Sequence, residues 1–203
     1  ETGTDFDNIA GMVGWENIIM STLNTPANKR FEGMTVQDIA KARGTDPVDC
    51  VCDMLIEENC AITMIDFITC EEDIARILNC GFVNVISDSI YPASGRPHPR
   101  LYGTYARIIQ RFVGERRDMT LEAAVKAMTY TPAKALNITD RGLLREGLCA
   151  DVNVFDPAEV KERGSYADPD KCAAGMDYVF VNGKPAIAAG ELTGGAFGQV
   201  IRR

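Results

Sequence analysis

Asp88 closes an apolar run in the stretch "NVISDSIYPASGRPHPRLYGTYARIIQRF", residues 84–112, and His98, the chain's single histidine, stands ten residues beyond it in a loop rich in Pro and Gly. A carboxylate at the end of a strand-like run suits two kinds of chemistry: it can ligate a metal ion, or act as the general base that takes a proton from an attacking water. The same side chain also caps turns by accepting neighbouring backbone N–H groups, so position alone leaves both readings open. His98 lies between Pro97 and Pro99, a stiffened setting for a ligand or a proton carrier. One histidine is too few for a zinc site, which draws about three protein ligands even when catalytic and open, and a structural or supporting part suits His98 better.

Other residue types that do chemistry offer less. The seven cysteines (Cys50, Cys52, Cys60, Cys70, Cys80, Cys149 and Cys172) are odd in number and follow no disulfide or zinc-ribbon rhythm. They read as reduced thiols acting as small buried hydrophobes. Asp151 and Asp156 flank a strand-like segment and read as turn and edge residues. A formal charge of −8, with no basic run longer than Arg116-Arg117, argues against a nucleic-acid or anionic-membrane surface. Trp15 and the six tyrosines form no stacking ladder for bases. No apolar run approaches the length of a membrane span, and the polar opening strip has no leader-like core, so the expectation is a cytoplasmic protein. The chain has no initiator methionine and reaches strand-like sequence at once, which reads as the middle of a longer protein.

These residues must be positioned by regular elements. "NIIMS" (17–21) reads as a strand, and "VQDIAKAR" as a helix capped by Thr35 and stopped by Gly44. "DPVDCVCDMLIEEN" (46–59) reads as a helix with Asp46 as cap, Pro47 at its first position and an apolar stripe at 48, 51, 52, 55 and 56. "AITMIDFI" (61–68) is expected to be a covered strand, "TCEEDIARILNCG" (69–81) a helix and "FVNVIS" (82–87) the next strand. That order predicts parallel strands joined by helical crossovers. Two helices follow the loop, the second capped by Thr120 and broken at Pro132. The tail alternates like β-structure, with a hairpin turning at Asn182-Gly183. A domain boundary is expected near residue 145, between an α/β part (1–145) and small-β-domain strands (146–203).

Three stretches carry a family resemblance: "SDS…GRPHPRLYGTYARIIQRFV", "LEAAVKAMTYTPAKALNITDRGLLREGLCADVNVFDP" and "YVFVNGKPAIAAGELTG". In that order the chain resembles the C-terminal portion of the N-acyl-D-amino-acid deacylases (D-aminoacylases) of the metal-dependent amidohydrolase superfamily, from "VQDIAKARGTDPVD" onward. The resemblance implies a partial (β/α)8 TIM barrel, its last two or three strands with their helices, plus C-terminal strands of a small β domain; a complete barrel takes roughly 250 residues. It implies zinc in the full-length enzyme, bound by a His-x-His pair and further ligands outside this chain, and none bound by this chain alone.

The resemblance also assigns roles. Asp88 is similar to the family's catalytic aspartate, which contacts the metal and carries the water's proton to the leaving nitrogen. Ser89 stands where the family usually has glycine, which narrows the backbone freedom at that position. Arg100 resembles a clamp for the substrate's α-carboxylate, a job for which the guanidinium fork suits Arg better than Lys. His98 falls beside these groups as a supporting residue. The expected reaction is hydrolysis of an N-acyl-D-amino acid to a carboxylate and a free D-amino acid, with a small-molecule partner, no nucleic acid, no membrane, and homo-oligomerisation to cover an open sheet edge. Two alternatives are a non-catalytic folded or oligomerisation module and a cyclic-amide hydrolase of the hydantoinase or dihydroorotase kind. The "GRPHPRLYGT" stretch disfavours the latter.

Overall fold

The computed structural model describes residues 7–91 and 94–201, an α/β chain of seven α-helices and six strands among those residues. The polar strip before Asp7, on which the reading of the chain's beginning partly rests, and Pro92 and Ala93 of the loop after Asp88 lie outside the described residues. Two compact units form. The first comprises the chain to Cys70 with Asp88–Leu101 and Gly164–Asp170; the second holds Glu71–Ser87, Tyr102–Arg163 and the rest of the tail. No helix among the described residues is long and apolar enough to cross a membrane.

In the first unit, α1 (Ile9–Val13) leads to β1 (Ile18–Thr22), α2 (Val36–Arg43), α3 (Pro47–Glu57) and β2 (Thr63–Asp66). The local signals act as expected. Thr35 Oγ1 accepts the Asp38 N–H at 3.1 Å, and Gly44 closes α2 in the left-handed conformation, φ 70°. Asp46 accepts the Val48 N–H at 2.8 Å, with Pro47 at the first position of α3.

The expectation of parallel strands is corrected here: β1 and β2 pair antiparallel, Ile18 opposite Asp66 and Met20 opposite Met64. A single helix between strands returns the chain for a parallel neighbour, whereas α2 and α3 reverse it twice, so β2 runs against β1.

The apolar stripe on α3 is corrected in part: Val51 packs against the core and Leu55 is half-buried. The row that faces the core is Cys50, Met54 and Glu58, all buried, while Val48, Cys52 and Ile56 face outward, Ile56 at 76% exposure. Glu58 explains the choice. Only 3% exposed, it accepts hydrogen bonds from Asn24 N (2.7 Å), Thr25 N (3.1 Å), Thr25 Oγ1 (2.5 Å) and Asn28 Nδ2 (2.9 Å), which tie the loop after β1 under the end of α3. Burial by itself pushes the Glu58 carboxyl up, but those donors outweigh it and hold it at about 2, well below the ordinary 4.5. Beside it, Arg43 bridges Glu57 at 2.8 Å. The core is Ile18, Met20, Leu23, Phe31, Val36, Ile39, Ala40, Cys50 and Met54.

In the second unit, α4 (Glu71–Leu78), the C-terminal part of α5 (Arg100–Arg107), a π-helical turn at Ile108–Glu115, α6 (Leu121–Met128) and α7 (Tyr130–Ala135) surround a core that includes Val85, Phe112 and Ala124. Glu71 is the hub of the helical layer: Arg111 contacts it at 2.6 Å, Arg107 at 2.8 Å and Arg116 at 3.4 Å, and these cations, Arg111 above all, hold its carboxyl below the ordinary range. The break before α7 falls at Thr129 (φ −128°, ψ −77°), and Pro132 occupies the first turn of the restarted helix, where it gives up no internal N–H bond.

The expected strand at 82–87 does not form. Among the described residues it joins no ladder; Val85 is buried and donates its N–H to Ala127 O at 3.0 Å, while Phe82 and Ile86 stay exposed. Strand-like sequence needs a partner edge to become a strand, and none is supplied there.

The tail forms a four-stranded antiparallel sheet in sequence order: β3 (Val152–Val154), β4 (Tyr178–Val181), β5 (Lys184–Ala188) and β6 (Glu191–Leu192). Asn182 and Gly183 have φ of 50° and 77°, the two positive values that a two-residue turn matched to strand twist requires. Asp151 serves that turn, accepting the Asn182 N–H at 2.8 Å while bridging Arg141 at 2.8 Å. Asp156 accepts the Ala158 N–H at 2.9 Å. The reading of the cysteines as buried hydrophobes holds only for Cys50. Cys149 is half-buried and the other five are exposed: Cys52 lies on the outward face of α3, and Cys60, Cys70, Cys80 and Cys172 lie outside the helices and strands.

Candidate functional site

Asp88 follows the 82–87 segment, which joins no ladder among the described residues, with φ 48°, a left-handed conformation that aspartate tolerates better than most side chains. This bears on Ser89: the positive φ falls on Asp88, and Ser89 has none. The narrowed freedom expected from a serine there is therefore not called upon. Ser89 makes a tie instead, its hydroxyl donating to the Arg100 carbonyl oxygen at 3.2 Å.

Arg100 opens α5, and its guanidinium meets Asp88 at 2.9 Å, the side chains being 39% and 72% exposed. An ion pair so open to water contributes about 0–1 kcal/mol, too little to explain the pairing as a stability device. His98 accepts the Arg100 backbone N–H on Nδ1 at 3.0 Å, so Nδ1 is bare and Nε2 carries the proton of the neutral ring. Pro97 and Pro99 are both buried and fix the loop on either side. The three residues singled out by sequence thus come together.

His98 and Arg100 line a cavity of about 210 Å³ within the first unit, together with Ser21, Thr63, Asp66 and Ser89 among others; Asp88 reaches it through its ion pair with Arg100. Ser21 and Thr63 share a hydroxyl–hydroxyl bond of 2.8 Å in its wall. Asp66 ends β2 as Asp88 ends its own segment, a signal that sequence reading passed over. Arg96, also a lining residue, donates its backbone N–H to Ser21 O at 2.9 Å and lies 3.9 Å from Glu32.

A carboxylate held by a guanidinium, beside a small polar cavity, can bind an anionic group and move a proton. A metal is a different matter. Among the described residues no three His, Cys, Asp or Glu side chains cluster closely enough to hold an ion, and Asp88 is engaged by Arg100. The described residues thus offer too few clustered ligands to fit by themselves the zinc that the resemblance implies.

Comparison with known proteins supplies the context. A family model described as "Amidohydrolase family" matches residues 26–187. An N-acyl-D-glutamate deacylase of Alcaligenes xylosoxydans xylosoxydans is 36% identical over 165 residues, 81% of this chain and 32% of the relative. A D-aminoacylase of the same organism is 34% identical over 173 residues, 85% of this chain and 34% of the relative. Among solved structures, a D-aminoacylase studied for its binuclear metal center superposes with a TM-score of 0.81 at 31% identity, covering 92% of this chain and 38% of that one. An N-acyl-D-glutamate deacylase from Bordetella bronchiseptica, complexed with zinc and a phosphonate mimic of the reaction's tetrahedral intermediate, gives a TM-score of 0.81 at 34% identity over 93% of this chain and 38% of that one. The chain therefore spans about a third of the length of the curated relatives it matches.

Proposed function

Because the chain belongs to the amidohydrolase family, we propose that it is the C-terminal portion of an enzyme that hydrolyses the amide bond of N-acyl-D-amino acids, giving a carboxylate and a free D-amino acid. Its relatives by sequence are N-acyl-D-amino acid deacylases. In this reading, residues 1–145 belong to the last strands and helices of a (β/α)8 barrel and residues 146–203 to a small β domain, and the chain alone is inactive. Asp88 and Asp66 are too few carboxylates for a zinc site, which leaves any metal dependent on ligands from other segments.

The observation that carries the proposal is the Asp88–Arg100 pair: the guanidinium already holds a carboxylate at 2.9 Å beside a cavity of about 210 Å³. The α-carboxylate of an acyl amino acid has the same chemistry and takes the place of Asp88 on the fork. Asp88, released, accepts the proton of the attacking water and returns it to the departing nitrogen, so that the amine leaves neutral and the new acid keeps the water's oxygen. His98 holds the Arg100 backbone and touches no reacting atom.

In the full-length enzyme, Asp88→Asn is expected to keep the fold and lower kcat at least about 10²–10⁴-fold. Arg100→Met is expected to raise KM for N-acyl-D-amino acids, with the penalty shrinking on substrates whose carboxylate is amidated. Near-wild-type turnover in Asp88→Asn would make Asp88 a turn residue. An equal Arg100→Met penalty on acid and amide substrates would remove the clamp.

A further inference from the structure

The segment Gly164–Asp170 comes from far along the chain, yet groups with Asp88 and Arg100 in one compact unit. It is a small closed turn: Ser165 N donates to Asp168 O at 3.0 Å, and Asp168 N donates to Ser165 Oγ at 3.1 Å. Gly164 lets it approach closely, since a Cβ there would stand 3.0 Å from Pro169 O and 3.6 Å from the Pro99 side chain. At its centre the Tyr166 ring meets two others, 4.8 Å from Phe67 at 69° and 5.2 Å from His98 at 81°, both edge-to-face. Tyr166 is 42% exposed, so it fills little core, and its contacts are what the position offers.

The contacts run in series to the proposed clamp. Tyr166 meets the His98 ring, His98 Nδ1 accepts the Arg100 N–H at 3.0 Å, and the Arg100 guanidinium meets Asp88 at 2.9 Å. An imidazole can flip about its Cβ–Cγ bond, which would replace Nδ1 with a carbon and leave the Arg100 amide without its acceptor. Turning the ring plane about that bond also takes Nδ1 out of line with the Arg100 amide, and an aromatic ring packed edge-to-face against the imidazole resists that turning. We infer that Tyr166 is a positioning residue for Arg100: it holds His98 in the orientation and tautomer whose bare Nδ1 faces the Arg100 amide, and so sets where the guanidinium fork stands. The kinetic consequence rests on the reading of Arg100 as a carboxylate clamp; the Tyr166–His98 relation does not.

Two measurements separate them. The chain has one histidine, so an imidazole-selective ¹⁵N–¹H spectrum of the 203-residue protein reports on His98 alone. The expected wild-type spectrum is one species with Nδ1 bare and Nε2 protonated; Tyr166→Leu converts it to a mixture, and Tyr166→Phe, which keeps the ring, restores it. A wild-type spectrum of the opposite tautomer overturns the inference without any variant, and so does a folded Tyr166→Leu whose His98 signals are unchanged. In the full-length enzyme, Tyr166→Leu is expected to raise KM for the free acid about three- to tenfold with little change in kcat, not to affect the amidated substrate, and to add nothing to Arg100→Met. An additive or substrate-independent penalty overturns the link to Arg100. If the spectra behave as expected while Arg100→Met itself fails to distinguish acid from amide, the clamp reading falls and the positioning of His98 by Tyr166 stands.

Discussion

Ser89 separates what a residue's identity suggests from what its backbone requires. The resemblance places glycine at this position, yet the left-handed backbone lies one residue earlier, on Asp88. Glycine is needed where φ is positive; at position 89 it would bring chain entropy and remove the hydroxyl that donates to Arg100 O at 3.2 Å. Ser89→Gly is therefore expected to destabilise the fold by about 0.5–1.5 kcal/mol, read as a lower denaturant midpoint with unchanged slope. A more stable Ser89→Gly variant would mean that strain at 89 exists after all. Asp88 tolerates its conformation because a short polar side chain is among the few that visit the left-handed region, which places its carboxylate on a sharp, defined turn.

At the scale of elements, the signals that sequence carried well were local and the ones it missed were relational. The Thr35 and Asp46 caps, the Gly44 stop and the Asn182-Gly183 turn are each decided within four residues, and each forms as read. The facing of α3, the direction of β2 and the pairing of 82–87 depend on partners distant in sequence. Periodicity marked 48, 51, 52, 55 and 56 as the core stripe because it counted apolar residues, whereas a carboxylate with four surrounding donor groups brought the 50–54–58 row inward and left Val48, Cys52 and Ile56 outside. The Asp88–His98–Arg100 grouping was legible because all three lie on one loop, while Tyr166 and Asp66 reach the same neighbourhood from other parts of the chain. Glu58 gives the element-scale prediction. Its pKa is lower folded than unfolded, so its contribution is fully present above about pH 4.5 and is lost as pH falls through that value toward about 2. Glu58→Gln is expected to cost about 2–3 kcal/mol near neutral pH and to flatten the acid side of the stability curve between those limits. Chemical denaturation at a series of pH values measures both, and an unchanged acid slope would place the lost proton linkage elsewhere.

At the scale of the whole molecule, the unpaired edges carry the argument. In the first unit, β2 pairs only with β1 among the described residues, and Met64, Phe67, Ile68, Ile90 and Tyr91 are exposed. In the second, Ile77, Phe82 and Ile86 are exposed around the segment that joins no ladder. An open strand edge beside apolar side chains is a template for pairing with another chain. The formal charge of −8 works the other way, repelling copies at low ionic strength over distances that salt shortens to about 10 Å at 0.1 M. The balance predicts self-association of the isolated 203-residue chain into dimers or larger species at tens of micromolar, strengthening as salt rises from low to physiological levels. Ile68→Glu and Phe82→Glu, each placing charge at an already exposed apolar position and adding to the net negative charge, are expected to shift the species toward monomer without loss of helical signal. Light scattering coupled to size exclusion reads the mass directly: a clean monomer at both ionic strengths would show that the exposed apolar side chains are tolerated by water without a partner, and association that weakens with salt would assign it to charge pairing and not to the open edges.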